Sequence, residues 1–439
     1  MLDELRQAAA QAAARRRDER ALRAAVLGGR RLLSERGEAN SVVIGRTLIE
    51  RLGALQGATL DAFFDHLATD LSPDPKTVLQ AAQDYHRTPD AASLIALVQA
   101  AEPPRQELLR RLNRTPGGTA CILRLRRELM RRLPAHPEWA ALEADLLHLL
   151  NSWFNPGFLN MERVDWNSPA RLLEKIIHHE AVHAIDGWDD LRRRLQPDRR
   201  CFAFFHPQLP DAPLIFVEVA LLPEMPDAIA PLIDKASTPL PPERFRVAAF
   251  YSISNCEPGL RGVSLGNFLI KRVAEQLQRE LPQLRRFCTL SPVPGLANWL
   301  LKAPDLAALP GLRRPQQQAL QAALERLRTR CGGDLAALQQ RATLDRLDED
   351  DTAALLALAS AWLLTLSPTP AGDPVARFHL DNGARLERLN PRGDLSPKGL
   401  KQSFGLMVNY LYDLDKVEAG HEMFKQGEVA RSRAVQTLL

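Results

Sequence analysis

Residues 245–296 read FRVAAFYSISNCEPGLRGVSLGNFLIKRVAEQLQRELPQLRRFCTLSPVPGL, and the fold turns on them. Residues 245–254 form a β-rich apolar run, and residues 256–262 are loop chemistry with one proline and two glycines. From 265 to 281 the spacing turns helical, placing Leu265, Phe268, Leu269, Val273 and Leu277 on one face. Residues 287–290 are short and apolar and end at Ser291-Pro292, where a helix is disfavoured. The stretch predicts strand, glycine-bearing loop, helix, strand and turn. A glycine loop feeding a helix N-terminus offers backbone N–H groups and the positive end of the helix dipole, which suits a phosphate or pyrophosphate.

Upstream, residues 1–152 carry Leu and Ala at three- and four-residue spacing with hardly a β-rich run. Breakers at Gly28-Gly29, at Ser72-Pro73-Asp74-Pro75, at Pro103-Pro104, at Pro116-Gly117-Gly118 and at 134–137 divide them into six to nine helices. Ser72 before Pro73 reads as an N-cap with proline at the first helical position. Asn155-Pro156-Gly157 marks a boundary, so residues 1–154 are expected to be an all-α helical bundle used for oligomerisation. Beyond it, Ser168-Pro169 opens a helix running to about Trp188, and residues 201–205 and 214–221 read as strands. Residues 303–366 are helical again, an insertion between sheet strands. Residues 384–389 resume as a strand, Ser396-Pro397 caps a last helix reaching toward Tyr412, and the tail after Lys416 is polar and patternless. The fold class expected is α+β: a helical bundle (1–154), then a sheet-bearing domain (155–439) with a helical insertion.

Bulk composition narrows the function. A chain of 439 residues with 45% hydrophobic and 25% charged residues is ordinary for a globular protein. The formal charge of +4, from 57 basic and 53 acidic residues, gives no electrostatic footprint for nucleic acid. Cys121, Cys201, Cys256, Cys288 and Cys331 are few and scattered without a C-x-x-C pair, which favours a reducing compartment over a disulfide framework. No apolar run reaches the about 18 residues of a membrane span. The Arg- and Ala-rich N-terminus contains Asp3, Glu4, Asp18 and Glu19, whereas mitochondrial transit peptides are poor in acids. It reads as a surface helix, the last residues are no peroxisomal address, and a cytoplasmic location is expected.

Several motifs bear on chemistry. His179-Glu180-Ala181-Val182-His183 has the zinc-peptidase pattern: on a helix it places two imidazoles one turn apart with a glutamate as base. No third ligand follows it in the manner of a zincin or metzincin. Arg261-Gly262-Val263-Ser264-Leu265-Gly266 is similar to the pyrophosphate loop of the GNAT acyltransferase fold, with Ser264 in place of the middle glycine. Taken with FYSISN, GLRGVSLGNFLIKRV, LSPVPG, ARFHLDNGA and SPKGLKQSFGLMVNYLY, in that order, it resembles the malonyl-CoA decarboxylase family over about residues 153–412. That family keeps the Glu-Ala-Val-His of the pentapeptide without its first histidine, which speaks against a metal. Glu180 and His183 are then expected to orient each other or to shape the acyl pocket.

The resemblance implies a GNAT-like catalytic domain that decarboxylates malonyl-CoA to acetyl-CoA and CO2, with the CoA thioester as substrate and no metal or prosthetic group. It matches Ser291 to the family's catalytic serine and His379 to its catalytic histidine, and it favours Tyr412 over Tyr410. On a helix, two tyrosines two residues apart do not share a face, so one at most is expected at the site. Arg261, Gly262, Val263, Ser264, Leu265, Gly266 and Asn267 are the expected CoA contacts, with Lys271 and Arg272 near the 3′-phosphate. Read without the resemblance, Ser291 is a turn serine and His379 a histidine near a helix end. Decarboxylation leaves an enolate that must be protonated, for which a histidine with a pKa near 7 is suited, assisted by Ser291. A homo-oligomer, dimer or tetramer, is implied. An acetyltransferase, a zinc hydrolase and an acyl-CoA sensor are the other readings.

Overall fold

The structure is a computed structural model that describes residues 2–439 except 36, 264 and 266–268, with the side chains of 2–6, 8–11 and 38 also left out. Its contacts divide into two compact units: Met1–Asn160 with Phe205–Pro213 and Glu257–Leu265, and the remaining residues.

The first unit holds α1 (Leu2–Ser34), α2 (Glu38–Ala54), α3 (Gly57–Thr69), α4 (Pro75–Arg87), α5 (Ala91–Ala101), α6 (Pro104–Asn113), α7 (Gly118–Arg132) and α8 (Ala140–Trp153). Leucines at helical spacing fill its core with Phe63, Phe64, Trp139 and Phe154. Trp139 meets Phe64 edge-on at 5.3 Å, and its indole N–H donates to Asp65 Oδ1 at 2.8 Å, so the one polar atom of that ring is satisfied.

Two expectations fail here for physical reasons. Gly28-Gly29 does not break a helix, because α1 runs through it. Both glycines are buried, and a Cβ on Gly28 would stand 3.2 Å from Leu48 Cδ1. Their smallness lets helices approach, which offsets a propensity cost of about 1 kcal/mol each. The α4 cap is Asp74 rather than Ser72: its carboxylate accepts from the Thr77 amide at 3.0 Å, with Pro75 at the first helical position. Ser72 instead donates to Ala68 O and accepts from Arg105.

The second unit is built on one sheet of β1 (Asn160–Val164), β2 (Arg199–Phe205), β3 (Ile215–Leu222), β4 (Val247–Asn255), β5 (Arg286–Thr289), β6 (Ser291–Pro292), β7 (Arg385–Asn390) and β8 (Met407–Tyr412). Strand order is β1-β2-β3-β4-β5-β8-β6, with β7 also on β8. Helices α9 (Ala170–His179), α10 (Gly187–Arg194), α11 (Ala230–Ile233) and α12 (Leu269–Glu280) precede or cross between the strands. Helices α13 (Leu296–Leu301), α14 (Arg314–Arg330), α15 (Arg341–Leu344) and α16 (Glu349–Leu366) form the helical stretch. Helices α17 (Pro374–Asp381), α18 (Pro397–Ser403), α19 (Val417–Lys425) and α20 (Arg433–Gln436) complete the unit.

Register positions the site. β4 and β5 are parallel, as a helix-bearing crossover requires, from Val247↔Arg286 to Phe250↔Thr289. The Leu290 amide closes the pair on Phe250 O at 2.9 Å. Past that point β4 continues to Asn255 along β3, while Ser291-Pro292 follows β8. β5 and β6 keep one register against β8, with Phe287↔Tyr412 and Ser291↔Val408. Two strands that part in this way leave a mouth in the sheet.

Three further corrections concern this unit. The helix expected to run to Trp188 stops at His179 and resumes as α10. The helix expected to reach Tyr412 stops at Ser403, because Phe404 (φ 54) and Gly405 (φ 73) take left-handed backbone, and residues 407–412 are strand. The tail after Lys416 is ordered: the Leu386 amide donates to Ala430 O, Ser432 N donates to Leu386 O, and Val435 is buried. Its few buried apolar residues are too sparse to set a period.

Candidate active site

A cavity of about 360 Å³ occupies the mouth between the parted strands. Phe250, Ser252 and Ile253 of β4 line one side; Leu290 and Ser291 line the other, and His379 of α17 closes it. The wall is mainly apolar, as expected of a site that takes an acyl group.

Ser291 and His379 meet there although 88 residues separate them: Oγ lies 2.9 Å from Nε2. Ser291 Oγ also donates to Thr289 Oγ1 at 2.8 Å, and His379 Nδ1 lies 2.9 Å from the Tyr412 hydroxyl. Proton accounting assigns the chain. The serine hydrogen is used on Thr289, so the hydrogen between Ser291 and His379 belongs to Nε2, and Tyr412 O–H donates to Nδ1. Burial pushes His379 down to about 3 and raises Tyr412 and Tyr410 well above a normal phenol. The resting imidazole is therefore neutral, unlike the histidine near 7 expected above.

Both tyrosines touch the histidine, which corrects the expectation of one at most. On a strand, residues two apart share a face. Tyr410 stacks on the imidazole at 4.7 Å while Tyr412 bonds its edge, and Asn409, the residue before Tyr410, faces away, donating to Thr289 O at 2.9 Å.

Asp373 fixes both halves of the pair. Its carboxylate caps α17 by accepting from Val375 and Ala376, each at 2.9 Å, and reaches the Gly295 amide at 3.1 Å in the turn after β6. Burial raises its pKa against those three hydrogen bonds. Gly295 is sterically required, since a Cβ would stand 2.7 Å from the Trp362 ring. The sequence reading missed Asp373, yet Asp373-Pro374 carries a cap signature of acceptor followed by proline at the first helical position.

The zinc-peptidase pattern loses its helical context. His179 ends α9, and residues 180–183 leave the helix, with a bend at 182–183. Glu180 accepts from the backbone amides of Val182 and His183, both at 2.8 Å, and from the hydroxyls of Ser252 and Ser254. Glu180 thus orients the backbone of His183 rather than its ring. Burial lowers His183 to about 4, with Asp394 pulling the other way.

Of the expected CoA contacts, Arg261, Gly262, Val263 and Leu265 belong to the first unit. Arg261 and Gly262 are exposed, and Gly262 takes φ 79. Ser264, Gly266 and Asn267 lie outside the described residues. Lys271 is paired with Glu418 at 3.1 Å, and the Arg272 guanidinium lies 5.5 Å from the Phe204 ring centre.

Fold and site together define a class: an α+β protein with a helical N-terminal region, whose sheet opens at a parallel strand pair onto a buried serine–histidine–tyrosine chain. Within that class, family models for the malonyl-CoA decarboxylase C-terminal and N-terminal domains match residues 157–439 and 71–154. The chain is 37% identical over 340 residues to the mitochondrial malonyl-CoA decarboxylase of Anser anser anser, covering 73% of this chain and 67% of that one. For the Mus musculus protein the identity is 36% over 344 residues, with 72% and 67% covered. The crystal structure of malonyl-CoA decarboxylase from Rhodopseudomonas palustris superposes with a TM-score of 0.83 at 45% identity, covering 94% of this chain and 98% of that one. The Cupriavidus metallidurans enzyme gives 0.76 at 36% identity, with 96% and 100% covered. The chain belongs to the malonyl-CoA decarboxylase family, whose members are carboxy-lyases. No described helix is long and apolar enough to cross a membrane.

Proposed function

We propose that the chain decarboxylates malonyl-CoA to acetyl-CoA and CO2, and that His379 and Ser291 deliver the proton that the reaction consumes. The 2.9 Å contact between Ser291 Oγ and His379 Nε2 at an apolar cavity carries this reading.

The malonyl carboxylate brings a negative charge to a site whose histidine is neutral at rest. An anion beside an imidazole raises its pKa, so the imidazole takes up a proton as the substrate binds. Apolar walls such as Phe250, Ile253 and Leu290 solvate a carboxylate poorly and leaving CO2 well, which favours cleavage of the carbon–carbon bond. The bonding pair passes to the thioester as an enolate. The α-carbon then takes the Ser291 hydroxyl hydrogen, Ser291 takes the Nε2 hydrogen, and the imidazole returns to the neutral form. Tyr412 holds Nδ1 and Tyr410 the ring face, so Nε2 stays aimed at Ser291. The reading invokes no metal or prosthetic group, because the thioester itself delocalises the enolate. For the CoA moiety, support comes from the backbone at 261–263, where an exposed arginine precedes a left-handed glycine. The substrate is the partner proposed, in a homo-oligomer in a reducing, cytoplasm-like compartment.

EDTA-treated protein incubated with malonyl-CoA is expected to give acetyl-CoA and CO2 in a one-to-one ratio, followed by mass. Malonyl-CoA that binds and survives would overturn the decarboxylase reading in favour of acyl transfer or sensing.

A further inference from the structure

Arg126 on α7 is only 1% exposed, and each of its three guanidinium nitrogens is engaged within the first unit. Nε and Nη2 grip the Glu143 carboxylate of α8 at 3.1 and 2.7 Å. Nη1 donates to the carbonyl of Gly259 at 2.7 Å, and Nη2 donates to the carbonyl of Arg261 at 2.8 Å. The planar fork of an arginine fixes both carbonyls in one orientation, which a lysine point charge does not do. The same turn is seated by Gly259, where a Cβ would come within 2.5 Å of Leu123 O of α7. Glu257 ties it from inside by accepting from the Gly259 amide at 2.9 Å.

Peptide planarity carries this hold one step further. In a trans peptide the carbonyl of residue 261 and the N–H of residue 262 point in opposite directions. Because the Arg261 carbonyl faces Arg126, the Gly262 N–H points away from Arg126, on an exposed residue that follows the exposed Arg261 in the chain. An outward backbone N–H next to a guanidinium is a donor pair for a phosphate oxygen.

We infer that Arg126 is a positioning residue for the CoA moiety: from the helical region it sets the direction in which the 261–262 peptide presents its N–H. The inference rests on the proposed reading of residues 261–263 as CoA contacts. Helices α7 and α8, joined by the Arg126–Glu143 pair, thus serve substrate affinity in addition to any role in subunit assembly.

The test compares Arg126→Gln, Arg126→Lys and Arg261→Ala, with malonyl-CoA kinetics and calorimetric binding of coenzyme A. Arg126→Gln is expected to raise KM for malonyl-CoA and Kd for coenzyme A about tenfold, with kcat within about twofold. Arg126→Lys should fall between, since one ammonium cannot hold two carbonyls and a carboxylate at once. A KM and Kd unchanged in Arg126→Gln, with only a lower Tm, would overturn the inference and leave Arg126 a structural residue. If Arg261→Ala also leaves both constants unchanged, the CoA assignment of the loop itself fails. If it weakens them while Arg126→Gln does not, the inference about Arg126 alone fails. Should Arg126→Gln not fold, Glu143→Gln decides: it loosens the guanidinium and is expected to raise KM about threefold with kcat kept, and an unchanged KM overturns the inference.

Discussion

Two polar clusters lie buried in the sheet unit, and they are built on opposite principles. Around Asp198, just before β2, the ionised groups are paired with one another. Arg193 takes both carboxylate oxygens at 2.8 and 3.0 Å, Arg199 adds a bond at 2.8 Å, and the two arginines spend further donors on Ser237 Oγ and Leu232 O. Burial pushes Asp198 up, but its guanidinium partners outweigh that and hold it below the usual carboxylate range. The chain Thr289–Ser291–His379–Tyr412 is equally buried, yet made only of neutral groups, each able to give or take one hydrogen. A carboxylate held ionised between two guanidiniums has no proton to give. A neutral chain with an ionisable ring at its centre has room for one proton, provided an anion arrives with it.

The contrast can be tested from its strongest consequence downward. His379→Asn is expected to lower kcat by about 10³–10⁴-fold with KM little changed, because a general acid is lost and no charge is left unpaired. An unaltered kcat in steady-state assays would remove His379 from the mechanism. Asp198→Asn should do the reverse. Two buried guanidiniums lose their counter-ion, costing about 3 kcal/mol or more in urea unfolding, while kcat per folded molecule stays the same.

The smallest effect is in pH. His379 and His183 sit at about 3 and about 4 when folded and near 6.5 when unfolded. Between about pH 6.5 and 4 the unfolded chain binds more protons, so stability falls with falling pH by about 1.4 kcal/mol per unit per histidine. Asp198 shifts in the same direction but in a lower window: its contribution is complete above about pH 3.9 and is lost only as pH falls through its depressed folded value. Urea midpoints measured from pH 7 to 4 should therefore slope, less steeply in His379→Asn and equally in Asp198→Asn. Buried Glu218, raised to about 8, slopes the other way, so the comparison decides: a profile left unchanged by His379→Asn would mean that this imidazole is charged in the folded state.

Local chemistry made much of this legible. The strand–loop–helix–strand order of residues 245–292 follows from a β-rich apolar run giving way to helical spacing, and Ser291 and His379 come to the site through family strings rather than spacing. What stayed hidden depends on contacts made at a distance. The helix-like reading of 397–412 missed a left-handed stop at Phe404 and Gly405, and with it the strand that turns Tyr410 and Tyr412 to one face. Gly28 and Gly29 look like breakers until Leu48 and Leu108 pack on them. Asp373 is a cap in sequence, and only the fold shows that its second oxygen also holds Gly295. Arg126 looks like one of many helical arginines, because its carbonyl partners lie 133 and 135 residues away.

The late position of β8 also bears on how the chain is made. β5 and β6 find their antiparallel partner in residues 407–412, and Tyr410 N reaches Thr289 across 121 residues. At about 5–20 residues per second a ribosome needs roughly 6–24 s to supply that partner. During that interval the nascent β5–β6 edge is an open template for pairing with other chains. The segments emerging meanwhile run from α13 to α18 and include β7, and Trp362 of α16 packs against Gly295 just after β6. The turn that ends β6 thus has its Trp362 neighbour available before the last strand leaves the ribosome.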